Sequence, residues 1–427
     1  MRMEPSLEAI RRVPDDDQPR LAYATALGEG PRADLIQLQC ALSGVDLDDP
    51  ARPALEAQVA RIPFDPHWSS ALAAAGLKMG KVKPSESYLF KPPWTFRRGF
   101  VEHLFATADT LVEHGAALAE QYPIRSLAID KLTAESAKAL SVQPWMQFID
   151  SLSTGSPAAP LRVLLSSERL RPKHLRISVK GSSLRSLLEL PALSELRTLV
   201  VDVPDDRAAA ATALAVAAPT TLERLRFESR PNPWGSATGQ RTQAAKDAGV
   251  ALAQMLGSGR LGRLRSLALD VLDAATVEAL ADYAELDELT VKALPDSIGP
   301  ALISKVLPHL RSLRLDWVGA ETGKAFALAQ APRLEDLALK RWISPPDENR
   351  FDLQPLDLRH LHAPALRRLQ LTNCGFDTEV IDGLHALAPP RLAALSLETI
   401  VRKRGVSIAL GAIGGRCGRE SACPRSS

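Results

Sequence analysis

Cysteine is scarce in this chain, with only Cys40, Cys374, Cys417 and Cys423 among 427 residues. So few thiols, so far apart, exclude a disulfide-stapled secreted scaffold, and a reducing cytoplasm is the expected compartment. Excess charge is missing too: 52 basic against 50 acidic residues leave a formal charge of +2, with no global field to draw the chain onto nucleic acid or anionic lipid. Long apolar runs are absent. The most apolar stretch, "AAAATALAVAA" from Ala208 to Ala218, is too short to cross a bilayer and reads as a buried helix face. The first residues, "MRMEPSLEAIRRVPDDDQPR", are charged throughout, which predicts no secretory signal.

The usual catalytic patterns are equally thin. Cys417 and Cys423 do not have Cys-x-x-Cys spacing and no second pair accompanies them, so no structural zinc is expected. "GAIGGRCG", from Gly411 to Gly418, lacks the Lys and Ser/Thr of a phosphate loop and reads as part of a flexible tail. His360 and His362 in "RHLHAP" are spaced for one strand face, but no third ligand adjoins them. No metal and no cofactor is therefore expected.

What the chain does have is leucine in a repeating pattern. The 45% hydrophobic content suffices for a large core, and the length fits two or three domains or one repeat array. L-x-x-L-x-L, with Ile, Val or Phe admitted, begins at Ile124, Leu196, Leu222, Leu264, Leu286, Leu310, Leu334, Leu366 and Leu392. The period is about 24 residues in the second half. The long gap after Ile124 has room for three such periods, and "PKHLRISV" from Pro172 to Val179 reads as a degenerate copy. Alternation over five residues is a strand with one buried face, and stretches such as "GAETGKAFALAQAP" have helical composition. One strand and one helix cannot bury that face, whereas stacked copies can. Over residues 124–400 the chain resembles the leucine-rich repeat family, most closely at "LRRLQLTNCG" with Cys374 after the strand. The fold class expected is α/β: an irregular leucine-rich-repeat-like solenoid, with parallel strands on the concave face, helices on the convex face and a small all-α N-terminal domain. The family's asparagine ladder cannot form, because the ninth position holds Leu132, Pro204, Arg230, Leu272, Leu294, Val318, Trp342 and Ile400 in the other copies. Apolar packing is expected to hold those turns.

Residues 1–80 follow another pattern. Leu21, Ala24 and Leu27, then Leu35, Leu38 and Leu42, fall at helical spacing, separated by Gly28, Gly30 and Pro31. Asp15-Asp16-Asp17, Arg20-Leu21-Ala22-Tyr23-Ala24 and Pro31-Arg32-Ala33-Asp34-Leu35-Ile36-Gln37-Leu38-Gln39 resemble the bacterial repeat-companion domain that precedes leucine-rich-like repeats. Where that family usually shows Ala-Asp-Trp-Leu, this chain has Ala24-Thr25-Ala26-Leu27, so no ligand role is carried over. "WTFRRGFVEHLF", from Trp94 to Phe105, is similar to the segment joining that domain to the first repeat. The organisation expected is a helical domain over 1–80, a linker and solenoid cap over 81–123, the solenoid over 124–400 and a flexible or altered tail over 401–427.

Counting the first leucine of each copy as position one, position seven is Asp130, Asp202, Glu228, Asp270, Lys292, Asp316, Lys340, Thr372 and Glu398. Positions three, five and seven should face away from the helices. Stacked carboxylates repel, so the arginines at position two (Arg125, Arg197, Arg265, Arg311, Arg367) or at position five (Arg226, Arg314) are expected to offset them. Asp202, Glu228, Asp270, Asp316, Arg226 and Arg314 are the candidate partner-binding residues, as a strip for a basic segment or as a self-neutralised surface. Trp234 and Trp342, in insertions that break the period, are candidate anchors or lids. The function expected is a non-enzymatic protein-protein interaction module, bacterial and cytoplasmic, with a protein partner and neither nucleic acid nor membrane. The alternative is a hydrolase or transferase using an insertion, or the carboxylates with His360 or His362.

Overall fold

The computed structural model describes residues 7–46, 49, 51–63, 65–77, 94–203, 206–228, 249–316, 318–340, 358, 360–372, 392, 394–398, 401–403 and 406–408. These form two compact units: residues 1–223 with 229–232, and residues 224–228 with 233–427. Each unit is built on the α/β solenoid plan, with strands paired in chain order and helices between them.

The first unit opens with helices Leu7–Arg12, Gln18–Leu27, Pro31–Ser43, Arg52–Arg61 and Ser70–Ala74. Strands β1 (Trp94–Arg97) and β2 (Phe100–Thr107) pair antiparallel around a two-residue turn. Arg98 (φ 51°) and Gly99 (φ 81°) both take the left-handed conformation that such a turn needs. A side chain at Gly99 would also strike Ile36, since an added Cβ falls 2.2 Å from its Cγ1. From β2 onward the strands are parallel: β3 (Ser126–Asp130), β4 (Ser151–Thr154), β5 (His174–Ser178) and β6 (Thr198–Asp202). Helices Ala108–Gln121, Ala134–Ser141, Ala158–Leu165, Gly181–Leu188 and Arg207–Ala217 alternate with them.

The second unit repeats the plan with β7 (Arg224–Glu228), β8 (Ser266–Val271), β9 (Glu288–Ala293), β10 (Ser312–Leu315), β11 (Asp336–Lys340), β12 (Arg368–Thr372) and β13 (Ala394–Glu398). Strands β7 to β13 pair in parallel, each with the next. Val401–Lys403 (β14) and Val406–Ile408 (β15) form a separate antiparallel pair that the leucine pattern did not predict.

All nine leucine copies are strands, and β5 is the degenerate copy. Positions four and six supply the core: Leu127, Ile129, Leu175, Ile177, Leu199 and Val201 in the first unit, and Leu225, Phe227, Leu313, Leu315, Leu369 and Leu371 in the second, are all buried. Each such side chain contributes about 1.5–3 kcal/mol of apolar burial. Two further copies escaped the pattern. In β4 the sixth position is Thr154, whose buried hydroxyl donates to Ser156 Oγ at 2.9 Å. In β2 it is Ala106, after Val101 and Leu104.

At position nine, Leu132, Leu272, Leu294 and Val318 are buried, so apolar packing does line those turns. Neighbouring helices also interlock polar groups there. Asp273 caps its own helix at Thr276 N (2.8 Å), and a Cβ on Gly249 would fall 1.1 Å from Asp273 Oδ2. Asp296 accepts from the N–H groups of Glu321 and Thr322, both at 2.9 Å, on a later helix. Burial pushes the Asp296 carboxyl up, but these donors outweigh it and hold it below the usual carboxylate range.

The strand entries are tied more tightly still. The carbonyl at position two accepts from two N–H groups of the following copy, at positions two and three. Arg125 O takes Asp150 N (3.0 Å) and Ser151 N (3.1 Å), and Arg311 O takes Glu335 N (2.8 Å) and Asp336 N (3.0 Å). The side chains at this position form a charged column: Glu102, Arg125, Asp150, Lys173, Arg197 and Glu223 in the first unit, and Arg265, Asp287, Arg311, Glu335 and Arg367 in the second. Arg125 pairs with Asp150, and Arg311 sits 3.4 Å from both Asp287 and Glu335. The position-two arginines therefore do not offset the position-seven carboxylates. Five residues of strand, about 16 Å, separate the two columns.

The N-terminal helices join this column. Arg20 is fully buried and pairs with Glu102, which is 4% exposed, while its Nη1 donates to Asp16 O at 3.0 Å. Asp15 lies 3.4 Å from Arg125, and Asp17 lies 3.1 Å from Arg98. Of the expected helical face, Ala24 and Leu35 are buried and Leu21 packs against the core. Ile10, Ala24, Ala33, Ile36 and Cys40 pack with Phe100, whereas Leu27 is 45% exposed. Burial pushes the Cys40 thiol up to about 12, which makes it an unreactive core residue.

Burial along the column sets an expected gradient. Glu102→Gln strips the buried Arg20 of its counter-charge and should lower stability by about 3 kcal/mol. Glu223→Gln, whose side chain is 45% exposed and 4.0 Å from Arg197, should cost less than about 1 kcal/mol. Urea denaturation of the two variants checks this, and equal losses would contradict it.

Candidate interaction face

Because side chains alternate along a strand, burying positions four and six turns positions three, five and seven away from the helices. In the second unit these make an open face whose rows can be read from the register. Position seven runs Glu228, Asp270, Lys292, Asp316, Lys340, Thr372 and Glu398 across β7 to β13. Position five runs Arg226, Ala268, Thr290, Arg314, Ala338, Gln370 and Ser396.

Each candidate carboxylate on this face has a cation from the same sheet. Glu228 Oε1 lies 2.5 Å from Arg226 Nε and accepts from Lys292 Nζ at 3.2 Å. The same Nζ is 3.0 Å from Oδ1 of Asp270, a residue only 2% exposed. Asp316 Oδ1 accepts from Arg314 Nε at 3.1 Å. Of the two sets of arginines, those at position five neutralise these carboxylates, joined by a lysine from the acidic row itself.

The electrostatics follow from this packing. Burial pushes the Glu228 carboxyl up, but Arg226 and Lys292 outweigh it and leave it below the usual carboxylate range. Burial pushes Lys292 down, and Asp270 and Glu228 more than reverse that shift. Both groups hold their charge through neutral pH, and neither is tuned to exchange a proton there.

The remaining candidates are dispersed. Asp202 ends β6 in the first unit, where its carbonyl accepts from Val179 N at 3.1 Å. His360 lies in an exposed turn, and the backbone of His362 bridges Ala329 and Ala331 at 2.9 and 2.8 Å. Among the described residues, no hydrogen bond joins either imidazole to the carboxylates, and no group of three or more His, Cys, Asp or Glu could hold a metal ion. Trp234, Trp342, both insertions, Cys374, Cys417 and Cys423 lie outside the described residues. What sequence reasoning missed is the pairing of Ala338 with Arg314 on one side and Gln370 on the other. Aligning the copies by position five would have exposed the recurring order arginine, alanine, polar residue.

No protein-family model and no curated protein matches the chain. Among solved structures, the leucine-rich repeat-containing protein LegL7 from Legionella pneumophila is similar at 16% identity and a TM-score of 0.32, over 49% of this chain and 69% of that one. A chain from the Rad7 and Elc1 complex in yeast is similar at 15% identity and a TM-score of 0.31, over 83% and 98% respectively. Likeness at this level carries no argument about function, and the repeat character of the chain rests on its own strands.

The bridging role of Lys292 has a pH signature. A depressed carboxylate stabilises the fold above its unfolded pKa, about 4.3 for Glu, and loses that contribution as pH falls through the folded value. Lys292→Met should lower stability at pH 7 by about 1–2 kcal/mol, the half-exposed lysine being partly screened. The deficit should shrink below about pH 4 as Glu228 is protonated. Urea denaturation between pH 3 and pH 7 measures it, and a pH-independent deficit would assign the loss to the lysine stem instead.

Proposed function

We propose that this chain is a non-enzymatic protein-protein interaction module or scaffold that binds its partner through the open face of the sheet. The observation that carries the reading is the state of that face in the second unit. Its carboxylates are occupied by internal cations, while Arg226 and Arg314, with side chains 50% and 54% exposed, project from a regular row. Parallel rows over several strands make an extended recognition surface, and arginine is enriched among residues that dominate binding energy. The basic-segment partner suggested by the acidic column is less well supported, since Glu228, Asp270 and Asp316 are already engaged.

Membership of the N-terminal helices in the bacterial repeat-companion family rests on their sequence and belongs to this proposal. So does a cytoplasmic location; among the described residues, no helix is long and apolar enough to cross a membrane. The enzyme alternative is less well supported: among the described residues neither imidazole, of His360 or His362, hydrogen-bonds the carboxylates, and Glu228 and Lys292 are shifted away from neutrality in opposite directions.

Affinity capture tests the reading with paired variants. Arg226→Gln with Arg314→Gln alters the open face, and Lys305→Gln with Lys324→Gln alters surface ion pairs on the helices. A partner held by the intact chain and by the helix variant, but at least tenfold weaker on the open-face variant, is expected. A partner lost only from the helix variant, or substrate turnover abolished by a single substitution, would contradict the proposal.

A further inference from the structure

The open face of the first unit differs in kind from that of the second. Its position three reads His103, Ser126, Ser151 and His174 in register across β2 to β5. The same row in the second unit reads Ser266, Glu288, Ser312, Asp336 and Arg368 across β8 to β12 and is charged. Position five of the first unit adds Phe105, Ala128, Ser153 and Arg176. Between β2 and β5 neither row holds a carboxylate, and the one guanidinium, that of Arg176, already has an interaction partner. Side-chain size gives these rows relief. On β3 and β4 they are three serines and an alanine, whereas β2 carries His103 with Phe105 and β5 carries His174 with Arg176. The two outer strands stand three spacings, about 14 Å, apart. A trough two strands wide therefore follows the strand direction, floored by hydroxyls and walled on both sides by larger groups.

The floor has hydrogen-bonding capacity to spare. Among the described residues, the hydroxyls of Ser151 and Ser153 make no hydrogen bond, and Ser126 Oγ lies 2.8 Å from His103 Nδ1. A hydroxyl both donates and accepts, and a neutral imidazole donates at one nitrogen and accepts at the other. One wall is apolar: Phe105 is 39% exposed, although its neighbours along β2, Leu104 and Ala106, are buried. These groups restrict what fits. A cation would find no carboxylate in either row, and an anion would find only a guanidinium that is already engaged. A wholly apolar ligand would strip water from the serine hydroxyls without replacing their hydrogen bonds. An extended peptide points its N–H and C=O groups sideways and reaches a floor only with its side chains. A sugar meets both demands, because its hydroxyls donate and accept as serines do and the C–H face of its ring packs on an aromatic ring.

We propose that the trough over β3 and β4 is a binding site for a short neutral oligosaccharide. One pyranose ring stacks on Phe105, and its hydroxyls bond to Ser151 and Ser153 between the imidazoles of His103 and His174. The small side chains act as specificity determinants by leaving room, so enlarging the floor blocks binding without changing charge. This site belongs to the first unit, whereas the partner surface proposed above belongs to the second, and neither reading depends on the other.

Saturation-transfer NMR and calorimetry on the full chain test this with maltotriose, cellotriose and chitotriose, beside an uncharged Ser/Asn peptide. At least one trisaccharide is expected to bind with a Kd below about 1 mM. Saturation should reach the C–H protons of one sugar ring and be lost in Phe105→Ala, whose side chain is exposed enough to be removed without opening the core. Ser151→Val removes a hydroxyl and raises the floor, and should weaken binding at least fivefold. Arg314→Gln, in the second unit, should leave it unchanged. Ser153→Ala, which deletes only a hydroxyl, keeps the test decisive if Ser151→Val melts early in circular dichroism. Binding of none of the three sugars, or binding that Phe105→Ala and the serine variants leave intact, would overturn the proposal. Binding of the peptide but of no sugar would also overturn it and make the trough a site for polar peptide side chains.

Discussion

The carbonyl at position two of each repeat is the constraint on which the rest of this structure depends. At Arg125, Asp150, Lys173, Arg265, Asp287, Arg311 and Glu335 it takes two N–H groups from the following copy, so one residue fixes where the next strand begins. A one-residue slip would turn every core leucine outward, and the register is therefore worth as much as the leucines themselves. The charged side chains at the same position add a second check. In the second unit their signs alternate without a break from Arg265 through Asp287, Arg311 and Glu335 to Arg367. A strand out of register would lose its place beside the opposite charge.

The N-terminal helices extend that logic. Arg20 supplies a cation ahead of Glu102, as if one more rung preceded the first parallel strand. The pair is buried where the column begins, and side-chain exposure rises toward Arg197 and Glu223. Each solenoid needs its first apolar face covered. Here the cover is joined electrostatically, through Arg20, Asp15 and Asp17, and by packing, through Ile36 against Gly99.

With register settled at the strand entries, the strand exits are free to vary, and this is where the open face acquires its character. Position seven of the second unit mixes carboxylates with Lys292 and Lys340, and position five contributes Arg226 and Arg314. The outcome is local neutrality with arginine forks projecting from it. Much of this was legible in the leucine spacing, because every strand with two aliphatic core residues announces itself by period. Thr154 hid β4, since its hydroxyl satisfied a core position that pattern reading reserves for aliphatics. Ala106 hid β2 in the same way. In the N-terminal helices the periodicity located Ala24 and Leu35 correctly, but not Arg20, a charged residue buried by its pairing with Glu102, nor the exposure of Leu27. The position-seven acids were visible as a column; which cations serve them was not, because that depends on distance along the strand.

The central claim is that the carboxylates of the open face are neutralised from within, leaving the arginines to meet a partner. Titration of the Glu228 side-chain carbonyl by carbon-13 NMR tests it most directly. The account predicts that Glu228 stays ionised below the usual carboxylate range, held there by Arg226 and Lys292. A Glu228 that titrates at or above the ordinary value would mean that its cations do not hold it, and that the face is acidic after all.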